Sequence, residues 1–409
     1  MCGFLYINDI NLNLNLCERS LKKIIHRGPD ESKSLKIENS FLGFNRLAIQ
    51  DLTIHGSQPM KLNEMGSYDY ILFNGEIYNF KDLKNNNNQL KSEKFFSKTD
   101  TEVVLRLIKN FGFKNMLSQI EGMFSILIFN EKEKKIYLAR DPFGQKPLYY
   151  FNQNNKFIAS SEIKSIIEYI GDIQPDYHGS LNPLFQMTLP SKNLTMFKNI
   201  KQLEKGHFLT YEIKTGKMEV KKYFDSTKLV DEKEYSRLGQ SSIKECAEEL
   251  NDLMIKSCNK HLISDAKIGI SFSYGLDSAI IQNYSQKFYL NKNKLDLISY
   301  IPFQDNSEIF KSEIYNNCSV KKIFEKKESN YLNKMPFVSY YAENSSNQST
   351  AMLSMVSEKA KQSGIKVMLT GDASDELFGS YFHLKEYYYS NYFKKKKFSI
   401  KKNRQFNKI

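Results

Sequence analysis

Cys2 follows Met1 and precedes Gly3, and a residue as small as cysteine permits removal of the methionine ahead of it. One residue would then carry both a thiol and a free α-amine. An α-amine ordinarily titrates at about 7.7–8.0, so near neutral pH a useful fraction can accept the thiol's proton. Nucleophile and general base would share a single residue. The tripeptide alone is equally compatible with an inert cysteine.

Arg46, Asn74, Gly75, Glu76 and Asp100 together suit one substrate, an α-amino acid with a side-chain amide. A guanidinium such as Arg46 can fork onto an α-carboxylate, and Asp100 or Glu76 can take an α-ammonium. The Asn74 amide and the Gly75 N–H can form an oxyanion hole, glycine allowing close backbone approach. Each has a plainer reading alone, since Asn-Gly is a common turn and an arginine is often a surface residue. Further on, Ser273-Tyr274-Gly275-Leu276-Asp277-Ser278 lies between a strand-like run and a helical one. That order cradles phosphate oxygens on backbone N–H groups, and it also describes any tight strand-to-helix turn. Asp372, Asp375 and Glu376 can hold magnesium or order a nucleotide, or can simply start a helix favourably.

These groups need elements to position them. Gly3 to Ile7, Phe41 to Ile49, Tyr70 to Phe73, Phe124 to Phe129 and Lys135 to Ala139 read as strands, with a helix beginning near Thr99-Asp100-Thr101-Glu102. Many short strands with few helices predict a sheet-rich layered domain over residues 1–210. Residues 211–240 read as a linker. After a helix over Ile243 to Lys260, strands at Lys267 to Phe272, Leu295 to Ile301 and Ile365 to Leu369 alternate with helices. This pattern predicts a parallel α/β sheet over 241–393, its site beyond the strand carboxyl ends.

The 409 residues suffice for roughly two to three domains at about 150 each, and 41% hydrophobic with 26% charged residues is ordinary for a globular chain. No apolar run approaches the roughly 18 residues of a membrane span, and nothing at the N-terminus resembles a secretory leader, so the cytoplasm is the expected compartment and no membrane partner is expected. Five cysteines without a CxxC pair indicate neither a disulfide framework nor a zinc site. Lys394 to Lys408 supplies eight basic residues and no acid, so the basic excess of 13 falls to five before it. Residues 394–409 thus read as a solvated basic tail, and nucleic acid is not the expected partner.

Taken in order, Met1-Cys2-Gly3, Arg27-Gly28-Pro29-Asp30, Arg46 to Asp51, Gln58-Pro59-Met60, Phe73 to Asn79, Asp100-Thr101-Glu102 and Ala139 to Gly144 resemble the glutaminase domain of the class II glutamine amidotransferases, specifically of asparagine synthetase. The resemblance implies an α+β N-terminal-nucleophile hydrolase sandwich (αββα). Cys2 would attack the glutamine amide, release ammonia and leave a thioester for water to hydrolyse. Arg46, Ile49, Asn74, Gly75, Glu76 and Asp100 would hold glutamine. Ser273 to Ser278 and Thr370 to Glu376 resemble the SGGxDS and SGEGxDE loops of the same family's α/β, Rossmann-like ATP-pyrophosphatase domain. By position, Phe272, Ser299, Thr370 and Gly371 would contact ATP, Ser273, Gly275, Asp277 and Ser278 would grip its pyrophosphate, and Asp372 and Asp375 would serve adenylation and amidation. ATP as co-substrate, Mg2+, and aspartate or another carboxylate such as a sugar acid are the implied partners.

The chain departs from that pattern. Tyr274 stands at a glycine position, Asp372 replaces a glutamate, and nothing from Phe382 to Ile409 resembles the continuation of the second domain. An incomplete ATP-pyrophosphatase domain is therefore expected, completed by a homodimer partner or a separate chain, or else a glutaminase without synthesis.

Overall fold

A computed structural model describes residues 1–62, 69–180, 193–289, 295–302, 318–325, 329–343 and 348–381; the basic tail lies outside them. The first unit begins with β1 (Gly3–Asp9), β2 (Glu31–Ile37) and β3 (Ser40–Arg46). It continues with β4 (Met60–Lys61), β5 (Asp69–Ile77), β6 (Gly122–Asn130), β7 (Lys135–Arg140), β8 (Tyr149–Gln153), β9 (Lys156–Ser160), β10 (Ile200–Gln202), β11 (His207–Glu212) and β12 (Met218–Lys222). They form two sheets, ordered β10-β8-β9-β1-β3-β2 and β12-β11-β7-β6-β5-β4.

Side-chain alternation explains the stacking. Phe4 and Tyr6 of β1 meet Leu72 of β5 and Leu127 and Phe129 of β6 between the sheets. The opposite face of β1, Leu5 and Ile7, packs on α1 (Leu14–Lys22) and α6 (Ile163–Ile170). Ile71 and Phe73 of β5 pack outward on α4 (Asp100–Phe111) and its neighbours α2 (Phe80–Asn86), α3 (Asn88–Lys91) and α5 (Phe113–Leu117). The result is the expected αββα sandwich. The same parity carries Cys2, just ahead of β1, against the core between the sheets, and puts Asn74 and Glu76 on the face of β5 that carries Leu72.

The sheet does not stop at 210. Leu209 pairs with Val220 and Phe208 with Lys221, so β12 adds an edge strand where a linker was expected. The remainder of 211–240 also holds α7 (Glu232–Gln240), which Asp231 caps through the Lys233 and Glu234 N–H groups. Polar composition pointed to a linker because β12 is an edge strand with little to bury.

In the second unit, α8 (Ile243–His261) starts on a reciprocal Ser242–Glu245 capping box. It leads to β13 (Ile268–Ser271), α9 (Leu276–Phe288), β14 (Leu295–Pro302), β15 (Cys318–Glu325), α10 (Ser329–Ala342), α11 (Gln348–Gln362), β16 (Val367–Leu369) and α12 (Ser374–Phe378). The parallel sheet runs β15-β14-β13-β16. Strand order reverses beside β13, so the loops leaving β13 and β16 face one crevice. No helix among the described residues is long and apolar enough to cross a membrane.

Candidate active site

At the mouth between the two sheets, the Leu47 backbone brackets the Cys2 thiol. Its N–H donates to Sγ at 3.4 Å, and Sγ lies 3.6 Å from its carbonyl. Arg27 Nε donates to the Cys2 carbonyl at 2.9 Å, passing so close to Gly3 that a Cβ there would meet Arg27 Cβ at 3.1 Å. The free amine here belongs to Met1. Met1 as a residue is 50% exposed, yet its amine is held inward, where burial, helped by the Arg27 and Lys146 charges, lowers its pKa to about 5. Burial also pushes the Cys2 thiol up, opposed by the amine and the Leu47 hydrogen bond.

β5 delivers the next three groups. Asn74 is buried, its Nδ2 3.5 Å from Ser125 Oγ. Gly75 lies where a Cβ would meet Met123 O at 2.2 Å, so only glycine fits. Glu76 accepts from Gln50 Nε2, and Asp100, at the start of α4, accepts from the Ile77 N–H at 2.8 Å. Burial raises Glu76 well above the usual carboxylate range, with the Asp100 charge adding to it. Burial likewise brings Asp100 up to about 7.

Arg46 is buried and spends its Nη groups on the following loop: Nη1 donates to Thr53 O at 2.7 Å, and Nη2 reaches Asp51 O and, at 3.4 Å, Gln50 O. It thereby shapes the loop that carries Ile49 and Gln50. The second unit holds the same loop, as the Asp265 N–H donates to Ile49 O at 3.0 Å and Asp51 N–H to Asp265 Oδ2 at 2.8 Å.

Sequence reasoning did not single out Leu47, Gln50 or Lys146. Lys146 is lowered to about 8 by burial and then by Arg27, and its Nζ lies 3.1 Å from Met1 Sδ. The Arg140 to Gly144 block was the available signal. Asp141 accepts the Phe143, Gln145 and Lys146 N–H groups, and Arg140 binds the Lys146 carbonyl at 2.8 Å, so that block builds the turn that aims Lys146.

The structure brings the second set together around β13 and β16. Ser278 Oγ, at the start of α9, accepts the Ser273 N–H at 3.2 Å and donates to Gly275 O at 3.1 Å. Ser374 Oγ donates to Asp277 Oδ1 at 2.9 Å. Gly371 packs so tightly on α9 that a Cβ would meet Asp277 Cβ at 2.9 Å. Phe272 is buried and pairs with Ile298 O at 2.9 Å, while Ser299 Oγ is buried with no hydrogen-bond partner among the described residues. The Asp372 N–H lies 3.4 Å from Thr370 Oγ1 and Asp375 accepts from Ser380 Oγ. Among the described residues no three His, Cys, Asp or Glu side chains converge as a metal site.

Tyr274 has φ +63° and Ala373 φ +72°, the left-handed region in which glycine is at ease. Tyr274 keeps the turn while its ring folds back edge-on against Phe272, centroids 4.8 Å apart. Ala373 went unnoticed in the sequence because alanine carries no polar signal.

A family model described as a glutamine amidotransferase domain matches residues 1–224, and one described as asparagine synthase matches residues 249–408. The glutamine-hydrolysing asparagine synthetase 1 of Bacillus subtilis is 30% identical over 93% of this chain. A Methanocaldococcus jannaschii relative, named as a second synthetase of the same kind, is 31% identical over 90% of this chain. The chain spans 59% of the length of the first and 72% of the second. A solved glutamine phosphoribosylpyrophosphate amidotransferase from B. subtilis aligns over 55% of this chain and 49% of its own, with a TM-score of 0.42 and 19% identity.

Proposed function

The chain belongs to the glutamine-hydrolysing asparagine synthetase family, and from that premise we propose that it hydrolyses glutamine at Cys2 and passes the ammonia to a carboxylate activated by ATP, that of aspartate. With Met1 removed, the Cys2 amine enters surroundings that disfavour its protonation and takes the thiol proton. The thiolate adds to the amide carbon, Asn74 and the Gly75 N–H receive the oxyanion, the amine hands its proton to the departing nitrogen so that the C–N bond breaks and ammonia leaves, and water then hydrolyses the thioester to glutamate and the free thiol. Glu76 and Asp100 take the substrate ammonium, and the loop that Arg46 shapes covers it. In the second unit the Ser273 to Ser278 turn receives the pyrophosphate, with Ser299 and Thr370 beside it. A magnesium ion would be held by Asp372 or Asp375 together with phosphate oxygens and would neutralise phosphate charge.

The observation that supports this reading is that Asn74 and Glu76 share one face of β5, that the Glu76 charge is felt at the Cys2 thiol, and that the Asp100 charge, from the start of α4, is felt at Glu76. Cys2→Ala is expected to abolish ammonia release from glutamine while leaving ammonia-driven pyrophosphate release from ATP and aspartate. Glutamine hydrolysis that survives this substitution overturns the reading. Tyr274 and Ala373 in left-handed turns favour a second reading, a glutaminase whose ATP unit binds without synthesis. Glutamine hydrolysis with no pyrophosphate release would select it, and pyrophosphate release with a sugar acid but not aspartate would reassign the acceptor.

A further inference from the structure

Glu343 follows α10 in the second unit, yet its carboxylate lies in the first. It accepts the backbone N–H groups of Ile163 and Lys164, both at 2.6 Å, at the start of α6, whose own N-cap residue Glu162 supplies no capping bond. The carboxylate also pairs with Lys164 Nζ at 2.9 Å. Lys164 bonds Glu162, Glu162 bonds Arg27 Nη1 at 2.9 Å, and Arg27 Nε bonds the Cys2 carbonyl at 2.9 Å.

Every side chain in this series from Glu343 to Arg27 is 6–9% exposed, so water cannot stand in for a lost partner. The aromatic end of α10 closes over it: the Tyr340 and Tyr341 rings lie 5.2 and 5.7 Å from Lys164 Nζ, and Tyr341 meets the His26 ring at 4.6 Å. His26 in turn bonds Glu162 at 3.0 Å. Glu343 itself has φ +57° and its N–H bonds Ser339 O at 2.9 Å, the left-handed turn that ends α10 and directs the side chain away from the helix.

Resting on the reading of Cys2 as the glutamine nucleophile, we propose that Glu343 is a positioning residue for Cys2: docked at the start of α6, it fixes Lys164, Glu162 and Arg27 and so the start of β1. Glutamine hydrolysis then depends on how α10 of the ATP-binding unit is seated. A carboxylate that only joined the two units would leave the reactivity of Cys2 untouched.

The test uses the full chain with Met1 removed and two readouts: the rate at which iodoacetamide alkylates Cys2, followed by peptide mass spectrometry, and kcat and KM for glutamine. Glu343→Ala is expected to slow both alkylation and kcat by about 3- to 30-fold, the range of coupling through a packed network, with KM within about twofold. Lys164→Met is expected to do the same, and the double variant to add little, because the two share one path. Glu343→Gln keeps an acceptor for the α6 N–H groups and is expected to fall between; it carries both readouts should Glu343→Ala fail to fold. A folded Glu343→Ala or Glu343→Gln protein with wild-type alkylation rate and kcat overturns the proposal, as does full additivity with Lys164→Met. Glutamine hydrolysis that survives Cys2→Ala would instead overturn the nucleophile assignment, and the alkylation rates would still judge Glu343.

Discussion

Glu76 and Asp100 show what one residue's surroundings do to substrate binding. With Asp100 brought up to about 7 and Glu76 also raised well above its ordinary range by burial, the proposed glutamine site holds protons near neutrality that an ammonium ligand would displace. The sign follows: binding is favoured by the ionised carboxylates, so it weakens as pH falls through about 7. KM for glutamine is expected to rise by up to about tenfold per unit on the acid side of 7, one proton being displaced per ligand, and initial-rate measurements from pH 8 to 6 would check it. Asp100→Asn should flatten that profile. Both carboxylates were legible in the sequence as partners for an ammonium, but the choice between them was not, because only folding encloses them together. Lys146 was illegible for the same reason: its role comes from the turn built by Asp141 and Arg140.

Among the elements, β1 and β5 could be read as strands almost directly, but their apolar runs are continuous and buried on both faces, so which face meets the other sheet, and hence where Cys2, Asn74 and Glu76 lie, came only with the fold. That the second sheet is parallel was legible from alternating strands and helices, though β15 was not among the strands read. What could not be read was contact between distant elements. Asp265, in the turn before β13, grips both Ile49 and Asp51, linking the strand that leads into the Ser273 to Ser278 turn to the loop beside the proposed glutamine site. Asp265→Ala leaves the Asp51 N–H without its carboxylate. It is expected to raise KM for glutamine about fivefold, on the scale of one ordinary hydrogen bond lost at a distance from the ligand, while the thermal shift produced by ATP stays as in the wild type. A KM that does not move would show that Asp265 only ties the units together.

For the whole molecule, the junction between the units mixes exposed and buried pairs. Lys260–Glu121 and Lys366–Asp30 reach solvent and contribute little, whereas the cluster around Glu162 is enclosed. Burial alone would raise Glu162, but His26, Arg27 and Lys164 overcome it and hold the carboxyl at about 2. Its folded pKa lies below the unfolded value of about 4.3, so the stability it contributes is complete above that value and is lost as pH falls towards 2. Limited proteolysis between pH 6 and 2 is expected to show protection of residues 160–170 down to about pH 4 and progressive cleavage below it. For Glu162→Gln the onset should come at higher pH.

The N-terminal strand also carries a schedule. β1 lies between β3 and β9, so its second edge is taken only once Ser160 has been made. Met1 itself stays 50% exposed in the folded chain, so an aminopeptidase can reach it before or after that edge closes. At about 5–20 residues per second, translation of that stretch lasts on the order of 8 to 30 s, the interval in which the strand behind the thiol waits for its second neighbour.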